Sequence, residues 1–518
     1  MKRRYIFTIT TVFVLTLLLA SLAQAQYTNP WWTTYQVVNM GDGPANIVID
    51  YYDTSGNVQT AARKTFSNVP AGGSVLVVQF TDDSALGSGR YSAVISADQP
   101  IAAITNQETA PAGGTRYTPG PPFSTYSGQS AGGTRIILPA VMYNWYGYYT
   151  EIFIMNIGSG QANDVDITYI PGKMDVGRGL EDTGASGVVD LNNTIPQYAS
   201  LHKSQQNMTQ LGAPSGTFQG RFLGSAVITS DQPIIAVVNQ HNPGAYKLMT
   251  YNGFTGGATK VAAPSYMRNY YGYYTTLLVA NPSATATAQV TITYTPDTSQ
   301  TYYNEMEPGS TIGPVTVSYS VLPQTALTRY DGPTATDGQS DLDDPPRAYR
   351  KFFGSVLVES NIEVVVQVNV EARADGDGQA GSYNGIPVAE ATQELVAPVI
   401  LADFYGYYTT LIVQNTTNVT STCVITYTSD NTYSAVKNQS RSYTHNLPAN
   451  GSFTVYEGRK GGLEIGDINK DVFWRSGGQR QFIGAAIVRC GVPVVAFVNE
   501  ESDVARRDTM YTMNTFNK

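Results

Sequence analysis

The feature that most limits what this chain can become is one aromatic phrase spelled three times. It reads NWYGYYTEIFIMNI from Asn144, NYYGYYTTLLVANP from Asn269 and DFYGYYTTLIVQNT from Asp403. The marker glycines Gly147, Gly272 and Gly406 are 125 and 134 residues apart. A degenerate fourth copy, NPWWTTYQVVNM, precedes them, with Trp31, Trp32 and Thr33 where the third copy has Tyr273, Tyr274 and Thr275. Behind each marker come further phrases in fixed order. NIVIDYYD, DVDITYIP, QVTITYTP and CVITYTSD start at Asn46, Asp164, Gln289 and Cys423. A turn-and-strand phrase follows from Val69, Ile195, Val321 and Leu447. The last phrase, of the form GSAVITSDQPIIAVVNQ, starts at Tyr91, Gly224, Gly354 and Gly484. Ordered repetition on this scale means that one structural unit is built four times.

The period inside the phrases is two, the signature of strands with one buried face. Leu277 and Val279 match Ile152 and Ile154, Leu411 and Val413, and Tyr35 and Val37, whereas the position between them runs Leu278, Phe153, Ile412 and Gln36. In the last phrase Ile234, Ala236 and Val238 likewise match Val494, Ala496 and Val498, while Val237 gives way to Gln367 or Phe497. Asp-Gln-Pro, Pro-Ala-Gly and Tyr-Asn-Gly turns separate the runs. Only 14% of residues are charged, while Gly (49) and Tyr (36) are abundant, a balance that favours strands over long helices. The expected unit is an antiparallel β-sandwich of roughly seven strands. The expected divisions are a signal peptide over 1–25 and sandwich repeats over 26–132, 133–258, 259–392 and 393–518. Linkers between repeats are short, which predicts an elongated array with restricted bending; a ring-like propeller is disfavoured because each copy is far longer than a blade of about 40 to 50 residues.

Lys2, Arg3 and Arg4 precede an apolar run from Ile6 to Ala20 that closes on Ala23-Gln24-Ala25, the pattern of a secretory leader. The mature chain would start at Gln26, with no later apolar run long enough to span a bilayer. Removing the three basic leader residues takes the formal charge from −9 to −12, from 28 basic and 40 acidic groups, which argues against nucleic acid as a partner. With two cysteines, disulfides are not the general staple of the fold. Cys423 lies on the inward parity and Cys490 replaces the turn residues Ser230 and Ser360, so an oxidising compartment would permit a bridge in the fourth repeat.

Extending the parity backwards turns Tyr273 inward, with Tyr148, Tyr407 and Trp31 following it. It turns Tyr274 outward, with Trp32, Tyr149 and Tyr408. On one reading all of these rings cap the sandwich end against the preceding linkers, where Pro139, Pro264 and Pro398 each stand eight residues before the Gly. On the other, Trp32, Tyr149, Tyr274 and Tyr408 form an exposed row for a sugar or a neighbouring subunit to stack on. Asn39, Asn156, Asn281 and Asn415 end the first strand, and Asn106, Asn239, Asn369 and Asn499 end the last phrase; local turn bonding explains both sets, with a polar contact between successive repeats as the alternative.

Groups for catalysis are sparse. His202, His241 and His445 fall at unrelated places, and no nucleophile elbow or zinc-helix motif occurs. Gly376, Gly378 and Gly381 match G-x-G-x-x-G, but SYNGIPV stands where a phosphate-binding helix would start. Asp467, Asn469 and Asp471 have the spacing of a calcium loop, yet Val472 and Gly478 occupy positions that require Gly and Glu. The acidic insertions near Asp337 and Asp375 read as solvated loops. No catalytic, cofactor or metal residues are assigned, and no enzymatic activity is expected.

Taken together, the NxxxxxVxITYxxD and GSAVITSDQPIxAVVNQ phrases resemble the tandem immunoglobulin-like β-sandwich repeats of proteins exported to the bacterial cell surface. The resemblance implies an all-β chain of four immunoglobulin-like domains, secreted or at the cell surface. Its expected role is structural or adhesive, in a sheath, layer or fibre, with a protein, a glycan or another copy of itself as partner. The alternative is an extracellular carbohydrate-binding protein using the exposed aromatic residues. No cell-wall sorting motif, lipid-anchor Cys or anchoring domain is recognisable.

Overall fold

The computed structural model describes residues 16–20, 31–79, 85–109, 123–176, 179–185, 187–245, 247–297, 304–306, 308–332, 340–342, 348–372, 379–404, 406–430, 434–460, 463–464, 466–476, 481–502 and 511–517. Among them the chain is almost entirely β, with helix confined to single turns. The large sheets sort into four strand groups lying within residues 16–127, 133–252, 258–387 and 392–517, and no sheet ladder crosses from one group to the next.

The second group shows the plan. A leading strand, Gly133–Tyr143, precedes the aromatic phrase. The phrase itself turns into an aromatic strand, Tyr149–Asn156. DVDITYIP lies in Ala162–Pro171, whose neighbour is Val188–Ile195, and a short strand covers Ser200–Ser204. The last phrase forms one bent strand, Phe222–Asn242, followed by a closing strand, Lys247–Asn252. The first half of the bent strand pairs with the leading and ITY strands, and its second half with the aromatic and closing strands. A single strand thus joins two layers in a sandwich-like arrangement. The leading strands of the third and fourth groups are Ala258–Tyr270 and Thr392–Ala402, with bent strands Tyr349–Ala372 and Phe482–Ser502.

Alternation builds each layer. In Ala45–Tyr52, Ile47, Ile49 and Tyr51 are fully buried while the residues between them are not, each burial contributing about 1.5–3 kcal/mol. The buried ITY tyrosines anchor the excursions beside them. Tyr169 accepts from Gln205 at 2.9 Å, whereas Tyr294 and Tyr427 donate to Asp341 and Asp467 at 2.6 and 3.2 Å. The glycine that opens the bent phrase has a steric cause: a Cβ at Gly224, Gly354 or Gly484 would lie 2.1 or 2.2 Å from a carbonyl oxygen of the adjacent ITY strand. Asn39, Asn156, Asn281 and Asn415 are corner pins, at most 1% exposed. Asn156, for example, donates to Gly160 O and Ile195 O and accepts from Gly158 N. Cys423 and Cys490 stand opposite each other in register and form a disulfide. Closing a loop of sequence separation 67, it restricts the unfolded chain by about 4 kcal/mol in the loop-entropy model.

The groups do not string out into the expected elongated array. Phe153, Met155, Ile235 and Val237 of the second group pack into the core of the first. Leu278 of the third group enters the core of the second, and Ile412 and Phe497 of the fourth enter that of the third. Ile104 of the first group enters the core of the fourth, and Gln36 donates to Pro398 O at 3.0 Å. Each group therefore covers the next with the same sheet face, and the fourth junction closes a ring. The closing strands Phe123–Ser127, Lys247–Asn252, Ala380–Asn384 and Tyr511–Asn514 meet in cyclic order at its centre. Asn252, Asn384 and Asn514 donate across it to Ser127 O, Asn252 O and Asn384 O, at 2.8 to 2.9 Å. The physical reason is the supposedly outward parity, which carries Phe, Leu, Ile and Val on a face too apolar to leave in water. Copy length does exclude single-sheet blades; it does not exclude a ring of thicker units.

The segment expected to be a leader enters a sheet. Thr16–Ala20 forms the edge strand of the first group, antiparallel to Ser92–Ala97. Among the described residues no helix is long and apolar enough to cross a membrane.

Candidate functional site: aromatic tips and buried acidic junctions

The repeated Tyr-Gly is a two-residue hairpin turn. Tyr146 and Gly147 have φ of 50° and 86°, and Tyr271 and Gly272 have 50° and 80°. The flanking residues exchange hydrogen bonds, Trp145 N–H to Tyr148 O at 3.0 Å and Tyr148 N–H to Trp145 O at 2.9 Å; Phe404 and Tyr407 do the same at 3.2 and 3.0 Å. Two successive positive φ values define a type I′ turn, for which glycine suits the second place and asparagine the first. A tyrosine in the first place is held in a left-handed conformation that L side chains resist. Tyr146 and Tyr271 are nevertheless 64% and 56% exposed. Trp145 is buried against Phe218 beneath the turn, and the Arg221 guanidinium lies 4.5 Å over the Tyr146 ring.

The expected row of outward rings is not what the structure exposes. Trp32, Tyr149 and Tyr274 are half-buried, and Tyr408 is only 3% exposed. They stand across the ladder from Glu108, His241, Glu371 and Glu501, on the sheet that meets a neighbouring group. Tyr149 and Tyr408 donate back to Asn144 and Asp403 at 3.3 Å. Tyr273 and Tyr148 are buried, as the inward parity requires, and Tyr407 is half-buried. The exposed rings, Tyr146 and Tyr271, stand three residues before the expected Tyr149 and Tyr274; the signal for them was the Gly itself, since an X-Gly pair between aromatic strands specifies a turn that projects X.

The junctions gather buried polar groups, among them two of the asparagines for which a contact between repeats was the alternative reading. Asn239 donates to Gln107 at 3.1 Å and Asn369 to Gln240 at 2.7 Å, so two asparagines that end the last phrase link adjacent groups. Glu371 of the third group receives Tyr148 OH at 2.5 Å and Lys247 Nζ at 3.2 Å, both from the second. His202 lies 2.8 Å from Arg90 of the first group and stacks on Phe153. Burial pushes the carboxyl of Glu500, 1% exposed, up to about 8. Within the fourth group burial also raises Glu457 to about 8, against the pull of three amide donors from Asp467, Ile468 and Asn469.

The weak metal candidates are occupied otherwise. Asp467 binds His445 at 2.8 Å, Asn469 turns back to Glu457 O, and Asp471 accepts from Phe473 N and pairs with Arg441. Among the described residues no cluster of three or more His, Cys, Asp or Glu is placed to hold a metal ion. Part of the acidic insertion is not solvated: Asp341 is 4% exposed, paired with Arg329 at 2.7 Å. Asp337, Asp375, Gly376 and Gly378 lie outside the described residues, while Gly381 sits in a closing strand. A cavity of about 20 Å³ at the junction of the first and fourth groups is too small for a sugar or cofactor.

No protein-family model and no curated protein matches the chain. Among solved structures, Thermotoga maritima 1070 is similar at 20% identity, covering 25% of this chain and 95% of its own, with a TM-score of 0.17. A glycoside hydrolase of family 32 from Bifidobacterium adolescentis is aligned over 96% of this chain and 95% of its own at 10% identity, with a TM-score of 0.14. At these TM-scores neither likeness bears on fold or function.

Proposed function

We propose that the chain is a secreted or cell-surface structural or adhesive protein, non-catalytic, whose four groups are immunoglobulin-like sandwiches closed into a ring. The observation that carries this reading is the pair of exposed tyrosines held at positive φ, Tyr146 against the buried Trp145 and Tyr271 against the half-buried Tyr270. Such a ring offers broad contact area with little freedom to lose on binding. Among the described residues, buried titratable groups are engaged with one another, Glu371 with Lys247 across a junction and Asp341 with Arg329 within the third group. The partner is a protein or glycan at the cell surface, or further copies of the ring assembling into a layer or fibre.

The test replaces Tyr146 and Tyr271 together by Ser in the exported protein. Adhesion to cells and self-assembly, followed by sedimentation and electron microscopy, are expected to weaken at least tenfold (about 1.4 kcal/mol), with the thermal transition kept. Unchanged adhesion and assembly in this variant would sink the proposal. The flat exposed rings also suit sugar stacking, so a glycan array separates the carbohydrate-binding reading: sugar binding lost in the same variant favours it, and assembly indifferent to sugars favours the structural role.

A further inference from the structure

We infer that the first group of the exported chain carries an empty strand position, filled in the mature protein by an apolar, uncharged β-strand of another polypeptide. The inference rests on the proposed export of the chain, with cleavage after Ala25.

The argument begins with register. Leu17, Leu18 and Leu19 pair with Ile95, Val94 and Ala93. In the second group Ile136, Ile137 and Leu138 pair with Ile228, Val227 and Ala226, the same places in the repeated phrase. Val261, Ala262 and Ala263 pair with Val358, Leu357 and Val356 in the third group. Leu395, Val396 and Ala397 pair with Val488, Ile487 and Ala486 in the fourth. The leader strand thus fills the position that each later group fills with residues preceding its own aromatic phrase. Those later strands belong to the permanent chain; Thr16–Ala20 lies wholly on the discarded side of the cleavage site.

What is left cannot fill the place. From Leu138 to the start of its aromatic strand at Tyr149 is eleven residues, whereas Gln26 is only five residues from Trp31. Five residues span about 17 Å when fully extended, leaving none to reverse direction and run along Ser92–Ala97. The vacated edge is costly to expose. Ala93, Val94 and Ile95 are at most 7% exposed, and the strand beside Thr16–Ala20 across the junction is Tyr149–Asn156, whose Phe153 and Met155 pack into the first group's core. Unpaired backbone and apolar side chains would meet water together. The corresponding strands of a second copy are already paired, so the occupant is a separate polypeptide that adds its strand by backbone pairing. Three consecutive apolar residues without charge are what the register demands of it.

The test uses the protein recovered from the medium of the exporting cell. N-terminal sequencing comes first: a chain that retains Met1 removes the export reading and this inference with it, whereas a chain starting at Gln26 leaves the inference standing on the next result. Hydrogen exchange over Ser92–Ala97 is then compared with Ala226–Thr229, which keeps its own leading strand. We expect exchange at Ser92–Ala97 at least tenfold faster in the purified cleaved chain. A synthetic peptide of Val14–Leu22 with flanking lysines should restore protection, and the same peptide with Leu17→Asp and Leu19→Asp should not. Equal protection of the two segments in the cleaved chain, with no response to either peptide, overturns the inference and leaves the export reading intact.

Discussion

Glu500 shows how a single side chain sets a condition for the whole. Its carboxyl is raised to about 8 by burial, against about 4.3 to 4.5 in an unfolded chain. The folded state therefore holds a proton that the unfolded state has lost between those values, and stability falls as pH rises through that window. The contribution is fully present near pH 4, declines steadily, and is gone above about 8. Urea unfolding at pH 5, 6.5 and 8 should show the fourth group losing on the order of a few kcal/mol, and Glu500→Gln should reduce the slope, leaving the part due to Glu457 and Glu501, which burial also raises. A midpoint that rises with pH in the wild-type protein would contradict the burial argument. The corner asparagines were readable at this scale because they bond locally; for Asn239 and Asn369 contact between repeats stood only as the alternative, and their partners Gln107 and Gln240 could not be named because they are more than 120 residues away.

Among elements, the Tyr-Gly hairpin makes the sharpest demand on sequence. Gly147 sits at φ 86°, and a Cβ there would meet the Asn242 amide at 3.2 Å. Gly147→Ala should therefore cost about 1–2 kcal/mol, read as a lower denaturant midpoint without a change in slope. Gly160→Ala is the matched control: its Cβ meets nothing within 4 Å, so the midpoint should hold or rise. The strands, their parity and their turns were legible in the repeated phrases, since period-two patterning is a local property of Ile47, Ile49 and Tyr51 or of Leu277 and Val279. The exposed ring was missed because the parity was carried back only as far as Tyr273, whereas Tyr271 lies beyond Gly272, in the turn itself.

For the whole molecule, the strand groups pack on one another in an arrangement the sequence did not show. Leu278, Phe153 and Ile412 were visible as apolar residues on the second parity, but periodicity does not say whether such a face meets solvent, a partner or a sister unit. The ring makes a direct prediction. Ile412→Ala with Phe497→Ala removes two side chains from the third group's core, each a loss of about 2–5 kcal/mol. Small-angle scattering should then show a larger radius of gyration as the junction loosens. Ile425→Ala, buried wholly within the fourth group, should lower stability and leave the radius unchanged. Equal radii in all three proteins would indicate that the junction residues do not hold the ring shut.

Three of the four junctions have the polypeptide running across them; the contact of Gln36 with Pro398 and of Val38 with Val396 and Ala485 does not. Tension applied to a chain held by its two ends would reach that place first. It would part there by side chains sliding away from one another, lengthening the molecule before any sheet has to give up a strand.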